Sequence, residues 1–498
     1  RPPRSTLFPY TTLFRSVSDA TQIVVKYADK TKATYEIEKF VKTNQNTCFS
    51  QQALVKVGDK FNKGDVLIDG PSMQNGELAL GRNLTAAYMV YDGYNYEDAI
   101  ILSERLVQED VLTSVHIKEY TQDIRETKLG DEQITRDIPN IGEYLLRNLD
   151  DAGVVRIGAN VNSQDILCGI IAPKGESELT AEEKLLRAIF GEYARDVRDN
   201  SLRLPHGDKG IVIGVQLLDK TKGDKLNPGV LKQVKVWVAS THKISVGDKL
   251  TGTHGDKGVI SKILPVEEMP YMEDGTPIDI ILSPMFVKRM NLGQIREMET
   301  AAIAKKLGIK VIVPPFTDVD YKKLEKMAKD KGVSMSQKIT LFDGKTGKPF
   351  KQKILVGPRY FLKLNHLSSD KIHARSTGSY TLVSQQPLGG KAQFGGQRFG
   401  EMEVWALEAH AAVHNLQELL TIKSDDVVGR AAAYKSIIQG TPIEAPNIPE
   451  AFKVLVSELR ALGLDLEMIE PDQDEVDEAE IVEGVIDNTD SIDIPVVE

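Results

Sequence analysis

The sequence predicts a mixed α+β, β-rich chain, and three observations carry that expectation. Apolar residues alternate in Val-Leu-Lys-Gln-Val-Lys-Val-Trp-Val, where Val230, Val234, Val236 and Val238 recur; period two marks a strand with one buried face. A second apolar run, Gly-Val-Ile-Ser-Lys-Ile-Leu at 258–264, follows after a Gly-rich connection and also reads as a strand. Elsewhere the spacing turns helical: Leu185, Leu186, Ile189 and Phe190 share one helical face, as do Trp405, Ala409, Ala412, Val413 and Leu416. The chain has 498 residues, 41% hydrophobic and 27% charged, a globular composition with room for several domains.

Taken in order, residues 1–16 lack an initiator Met and repeat Thr-Leu-Phe at 6–8 and 12–14, so they are expected to be a non-native leader or scar. Residues 21–70 read as short strands with Gly-Asp turns at 58–59 and 64–65. An apolar run from Ala86 to Val90 precedes Gly-Tyr-Asn-Tyr-Glu-Asp at 93–98. The adjacent carboxylates Glu97 and Asp98 repel and need a cation, donors or water; a solvated turn satisfies that as well as a site does. Residues 181–190 read as a helix with Thr180 as N-cap and acidic residues in its first turn. A core-facing helix would carry the same stripe. Turns follow at 267–270 and 274–277, and a helix is expected from Glu401. Residues 424–462 read as smaller helices with Pro breaks, and the tail from 466 as disordered.

Residues 247–259, Gly-Asp-Lys-Leu-Thr-Gly-Thr-His-Gly-Asp-Lys-Gly-Val, place Lys249 and Lys257 on a Gly-rich connection between the two strand signals. Glycine admits close backbone approach and lysine brings a mobile point charge, which together suit a phosphate. Composition alone leaves a surface turn with two solvated lysines open. No Walker pattern or dinucleotide fingerprint occurs in this stretch.

The net charge of −10 is unevenly spread. Residues 465–498 hold fourteen Asp or Glu and no Lys or Arg, and setting those aside leaves +4 for the rest. A mildly basic body with an acidic tail is compatible with nucleic acid, because attraction follows local fields. Cys48 and Cys168 form no metal-spaced cluster, and no disulfide framework or zinc site is expected. No run has the length and apolarity of a membrane span, and a cytoplasmic location is expected.

The lysine stretch resembles the β subunits of bacterial RNA polymerase. So do Asn-Gln-Asn-Thr-Cys (44–48), 93–98, 182–192, Leu-Asn-His-Leu (364–367), His-Ala-Arg-Ser-Thr-Gly-Ser-Tyr (373–380) and the long run 386–409, all in family order. The resemblance implies a double-psi β-barrel core, its segments roughly at 40–110 and 228–380, with an inserted flap and a helical, clamp-linked carboxy-terminal piece. The implied domains are 17–112 and 229–384 for the barrel and hybrid-binding parts, 113–228 for the flap, 385–465 for the clamp anchor, and 466–498 for an acidic tail. Lys249, Lys257, Arg289 and His366 would meet RNA or nucleotide phosphates, and Glu97 and Asp98 would tune the field nearby. Lys363, Lys371 and Arg375 would add positive charge beside His366. Leu185, Leu186, Ile189 and Phe190 would dock a sigma factor.

The implied function is DNA-templated RNA synthesis from ribonucleoside triphosphates. The implied partners are a β′ subunit, alpha subunits, sigma, template DNA and nascent RNA, with no membrane and with nucleoid association. Mg²⁺ would be held mainly by β′, no metal ligand is assigned here, and the isolated chain is expected to be inactive. A non-catalytic assembly fragment and a stand-alone phosphate-binding enzyme are the alternatives. The chain departs from the family's common pattern at Thr253, where Arg is usual, and at Asp256, where Asn is usual. A carboxylate beside Lys257 is expected to weaken the local positive field.

Overall fold

Strands rich in Ile, Leu and Ala, buried on both faces, organise the larger of two units in the computed structural model of the chain. The structure describes residues 12–14, 22–27, 31–128, 130–139, 141–173, 197–314, 320–330, 332 and 338–466. The larger unit is drawn from 1–178 and 193–372, the smaller from 179–192 and 373–498.

The elements of the larger unit that matter here are β1 (Arg82–Tyr88), β2 (Ala99–Ser103), β3 (Ser114–Thr127), β4 (Gly210–Asp219) and β5 (Val230–His242). They continue with β6 (Lys249–Thr251), β7 (Lys257–Leu264), β8 (Ile280–Leu282), helix α1 (Gly293–Leu307) and β9 (Ile354–Lys363). Six of the strands close a barrel in the order β1–β8–β2–β7–β6–β9 and back to β1. The β1–β8 and β2–β7 pairs are parallel, and the other four are antiparallel. Strands covered on both faces read as continuous apolar runs rather than alternations, which is why Ala-Ile-Ile-Leu (99–102) and Ile-Ile-Leu (280–282) carry no period. One core cluster takes Leu84, Ile100, Leu250, Ile260, Ile280 and Phe361, one from each barrel strand. A second packs on the opposite faces through Ala87, Ile101, Ile281 and Val356.

A separate sheet is built on β5, which pairs antiparallel with both β3 and β4. Val230, Val234, Val236 and Val238 are all buried there, as the alternation predicts. Val234, Val236 and Val238 pack with Ile124, Leu149, Ile166, Leu167 and Val212. At the amino-terminal end, Gln22–Lys26 and Lys32–Glu36 form a hairpin. Thr12–Phe14, inside the segment expected to be a leader, pairs with Gln22–Lys26 and with Lys60–Phe61. Asp59 and Asp65 close the expected turns by accepting from the Lys56 and Asn62 amides, each at 2.7 Å. The expected helix at 181–190, with Leu185, Leu186, Ile189 and Phe190, lies outside the described residues, as do most of the leader and the tail from 467.

The smaller unit has α2 (Glu401–Ala409), α3 (Val413–Leu420), α4 (Val427–Gln439) and α5 (Glu450–Ala461). A helix does start at Glu401, but the stripe expected to run on through Leu416 is broken. Ala411 takes a left-handed φ of 52°, which no right-handed helix continues, and α3 restarts at Val413. The stripe is not buried within the described residues: Trp405 is 58% exposed and Val413 67%. Asp426 caps α4 by accepting from Gly429 N at 2.8 Å, and it also accepts from Asn447 N. Arg430 stacks over the Tyr380 ring at 3.6 Å, with Arg375 at 4.9 Å from the same ring.

Candidate functional site

The Gly-rich stretch folds as a hairpin, with Lys249 opposite Val259 and Thr251 opposite Lys257. The lysines therefore stand on the two strands that flank the connection, not on the connection itself as the glycine spacing suggested. Cross-strand partners share a face, so both lysines share one, while Leu250, Gly258 and Ile260 are buried on the other. Their diagonal relation makes the two residues neighbours roughly 7–8 Å apart, their Cβ atoms somewhat closer. Neither neighbouring carboxylate neutralises them. Asp248 is buried and accepts from Ser245 N (2.9 Å), Ser368 N (2.9 Å) and Ser368 Oγ (3.1 Å). Asp256 pairs with Arg359, Nη2 to Oδ2 at 2.7 Å. Among the described residues neither Lys249 nor Lys257 has an ion-pair partner.

The carboxylate turn is brought to the same hairpin. Asn95 holds it from within, accepting from Tyr91 N (3.2 Å) and donating to Met89 O (2.6 Å). Glu97 sits at φ 56°, an uncommon conformation for a side chain of its size. Asp98 O accepts from Val259 N at 3.2 Å and so ties the turn to β7. The Asp98 carboxylate accepts from Arg289 Nη1 at 2.6 Å. Two residues singled out separately in the sequence thus satisfy one another, both about half-exposed.

Glu97, Asp98, Lys257 and Arg289 line a pocket to which all six barrel strands contribute, through Tyr88, Ile100, Leu250, Gly258, Leu282 and Arg359 among others. Lys249 and His366 are not on its lining. His366 is exposed on the loop that leaves β9, between two anchors to the hairpin: Leu364 N donates to Lys249 O (3.0 Å), and Ser368 binds Asp248.

Beneath the pocket lies a network that the sequence reading missed. The Arg359 guanidinium is fully buried and donates from Nη1 to Tyr88 Oη (2.6 Å) and Gln294 Oε1 (3.1 Å). Tyr88 donates in turn to Gln294 Oε1 at 2.8 Å. Burial pushes the Tyr88 phenol well above its usual pKa, so it keeps the proton it donates. Gln294 Nε2 and Arg359 Nε are buried with no hydrogen-bond partner among the described residues. On the outer side, Thr253 Oγ1 (3.2 Å) and His254 Nε2 (2.8 Å) both meet Glu297 on α1, whose other oxygen accepts from Tyr360 N. The loop is fastened on both sides.

Lys363, expected to add positive charge beside His366, turns inward instead. Its ammonium donates to Ser114 Oγ (3.1 Å) and His242 O (2.8 Å), and burial lowers its pKa. Next to it His116 and His242 meet edge to face at 5.0 Å. Arg375 belongs to the smaller unit, where it donates to Phe394 O and Ser379 O. Among the described residues no group of three or more His, Cys, Asp and Glu side chains is placed to hold a metal ion.

The chain resembles known proteins over almost its whole length. Residues 11–393 match the family model described as RNA polymerase Rpb2, domain 6, and residues 395–471 the one described as RNA polymerase Rpb2, domain 7. The first match begins inside the segment expected to be a leader. A protein of Caldicellulosiruptor bescii named DNA-directed RNA polymerase subunit beta is 57% identical over 465 residues, which is 93% of this chain and 38% of that protein. Proteins of the same name from an Exiguobacterium species and from Acetivibrio thermocellus are 56% identical over 444 residues and 54% over 465. They too are only partly covered, to 38% and 37% of their length.

Proposed function

This chain belongs to the RNA polymerase Rpb2 domain 6 family, and from that premise we propose that it is the carboxy-terminal, active-centre portion of a β subunit in DNA-templated RNA synthesis. One observation carries the reading: Lys249 and Lys257 share a face of a fastened hairpin, unpaired with any described carboxylate, and Lys257 borders the pocket that also holds Glu97, Asp98 and Arg289. Cations held without counter-ions are available to phosphate. In this reading the two lysines draw RNA and nucleotide phosphates to the barrel, and Arg289 exchanges Asp98 for triphosphate oxygens, which suit its planar fork. Glu97 shapes the field, and His366 approaches the RNA end. These groups position and stabilise charge; they make no bond. The closed barrel corresponds to the family's double-psi barrel, the β3–β4–β5 sheet to the base of its flap, and the helical unit to the clamp anchor.

The described residues do not by themselves fit a Mg²⁺ site, since Asp98 is taken by Arg289 and no cluster of three ligands forms. The ion is assigned mainly to a partner β′ subunit. Alpha subunits, sigma, template DNA and nascent RNA complete the proposed assembly, which works in the cytoplasm at the nucleoid. No helix among the described residues is long and apolar enough to cross a membrane.

The test is single-nucleotide extension on a preassembled RNA–DNA scaffold, by a polymerase whose full-length β carries this segment. Lys249→Ala and Lys257→Ala should each assemble normally and slow addition on the order of a hundredfold, about 3 kcal/mol of transition-state stabilisation. Normal extension by both would refute the assignment. Extension by the purified chain alone would favour a stand-alone enzyme.

A further inference from the structure

Asp256 is out of place. A carboxylate that directly precedes a phosphate-binding lysine should pair with it, or with the lysine across the hairpin, and so cancel the charge the site needs. The structure sends that carboxylate elsewhere. Its Oδ2 accepts from Arg359 Nη2 at 2.7 Å, and its Oδ1 from His254 N at 3.3 Å. Its main-chain oxygen accepts from Gly252 N and from Thr251 Oγ1, each at 2.9 Å. The loop is thereby folded inward around Asp256, while Lys257 stays exposed on the outer face. Arg359 stands opposite Leu84 in the barrel wall and is held there by Tyr88 and Gln294. A buried guanidinium needs a counter-ion, and Asp256 is the only carboxylate paired with it among the described residues.

We propose that Arg359 is a positioning residue: it captures Asp256 from inside the barrel and so keeps the Lys257 ammonium unpaired and available to phosphate. The proposal rests on the polymerase reading for the identity of that phosphate, but the capture itself is a property of this chain alone. Removing Arg359 releases Asp256, which directly precedes Lys257 in the chain and shares a pocket lining with it. Removing both charges leaves Lys257 without a competitor again.

The variants are Arg359→Met, Asp256→Asn and the double variant. Arg359→Gln, which keeps hydrogen-bonding groups for Tyr88 and Gln294, is included in case the Met side chain is not tolerated. The first readout is the rate at which an amine-reactive reagent labels Lys257 in the folded 498-residue chain, followed by mass spectrometry. Pairing favours the protonated amine, which does not react. Labelling should fall several-fold in Arg359→Met or Arg359→Gln and return to within about twofold of wild type in the double variant. The second readout is nucleotide addition by a polymerase carrying the same changes in full-length β. The Arg359 variants should raise the KM for nucleotide about tenfold, with the double variant restored. A purely structural role for Arg359 predicts instead that the double variant is as impaired as the single. Unchanged labelling in the Arg359 variants, or no recovery in the double variant, would overturn the proposal. If labelling behaves as expected while Lys257→Ala leaves extension intact, the capture stands and the polymerase assignment of Lys257 fails.

Discussion

Two glycines flank the Asp256–Lys257 pair, and the structure makes them intolerant of a side chain for opposite reasons. Gly258 lies buried in β7 with no left-handed φ, so alanine is conformationally acceptable there. The obstacle is space. A Cβ would overlap the Asp98 carbonyl oxygen and lie 2.8 and 2.9 Å from Ile100 Cδ1 and Cγ1. The isoleucine can turn, but the carbonyl is bound to Val259 N, so the start of β2 must shift and carry the Asp98 carboxylate with it. Overpacking of this kind costs about 1–3 kcal/mol. Gly255 has open space, with nothing within 4 Å of where a methyl group would stand, but it sits at φ +76°. Alanine there costs about 1–2 kcal/mol of backbone strain, which asparagine relieves because it tolerates the left-handed region. Gly255→Asn should therefore be more stable than Gly255→Ala, whereas Gly258→Asn should be worse than Gly258→Ala. Because the chain has two units, a single melting curve does not isolate this effect. Hydrogen exchange at the Gly252 and Val259 amides does, since the first is bonded to Asp256 O within the hairpin and the second to Asp98 O beside it. Unchanged protection at Val259 in Gly258→Ala, or a Gly255→Asn variant no better protected than Gly255→Ala, would show the reasoning wrong.

Three further outcomes are expected. Burial lowers the pKa of His116 and His242 from 6.5, with Lys363 and Lys118 opposing protonation and Asp370 favouring it at both, and Asp208 favouring it at His242. The unfolded chain then binds more protons below that pH, so the stability contribution is complete above about pH 6.5 and is lost as the pH falls toward the lowered values. Urea titrations of the chain across about pH 5–8 should show this slope and should flatten in His242→Gln. The exposed Asp98–Arg289 pair is worth about 0–1 kcal/mol to stability, so Asp98→Asn should leave unfolding nearly unchanged and alter only nucleotide affinity; a large loss of stability would make the pair structural. Replacing Leu186 and Phe190 together with Ala should weaken sigma binding, each side chain being worth roughly 1.5–3 kcal/mol if buried in the complex. Unfolding of that double variant in circular dichroism would instead place the stripe in the chain's own core.

Parts of the fold were legible because a single residue period decides them. The valines of β5 alternate since that strand has one buried face, and the sequence shows it directly. The barrel was not legible in that way. β1 takes its neighbours β8 and β9 from nearly 200 and more than 260 residues further on, roughly, and an apolar run buried on both faces carries no mark of its partner. Only the resemblance supplied a barrel. The break at Ala411 was hidden for a related reason: alanine is a strong helix former, and its propensity gives no warning of a left-handed φ imposed by the surrounding chain.

At the site, glycine spacing found Lys249 and Lys257 but gave no register, and the register is what sets them on one face. Arg359 was missed because no motif or glycine spacing singles it out within its strand. A signal was present. Gly357, Arg359 and Phe361 fall on the same face at period two, and that face is buried, so the arginine points where an apolar residue belongs. A charge in such a place is tolerated only with a counter-ion. Asp256, in the lysine stretch, supplies it. Taken separately, an inward arginine and an acidic residue beside a lysine proposed to bind phosphate each look like a defect of the site. Together they are one feature in the proposed capture, because the desolvation that would make the arginine costly is offset by the Asp256 carboxylate, whose pairing with Arg359 keeps it from Lys257.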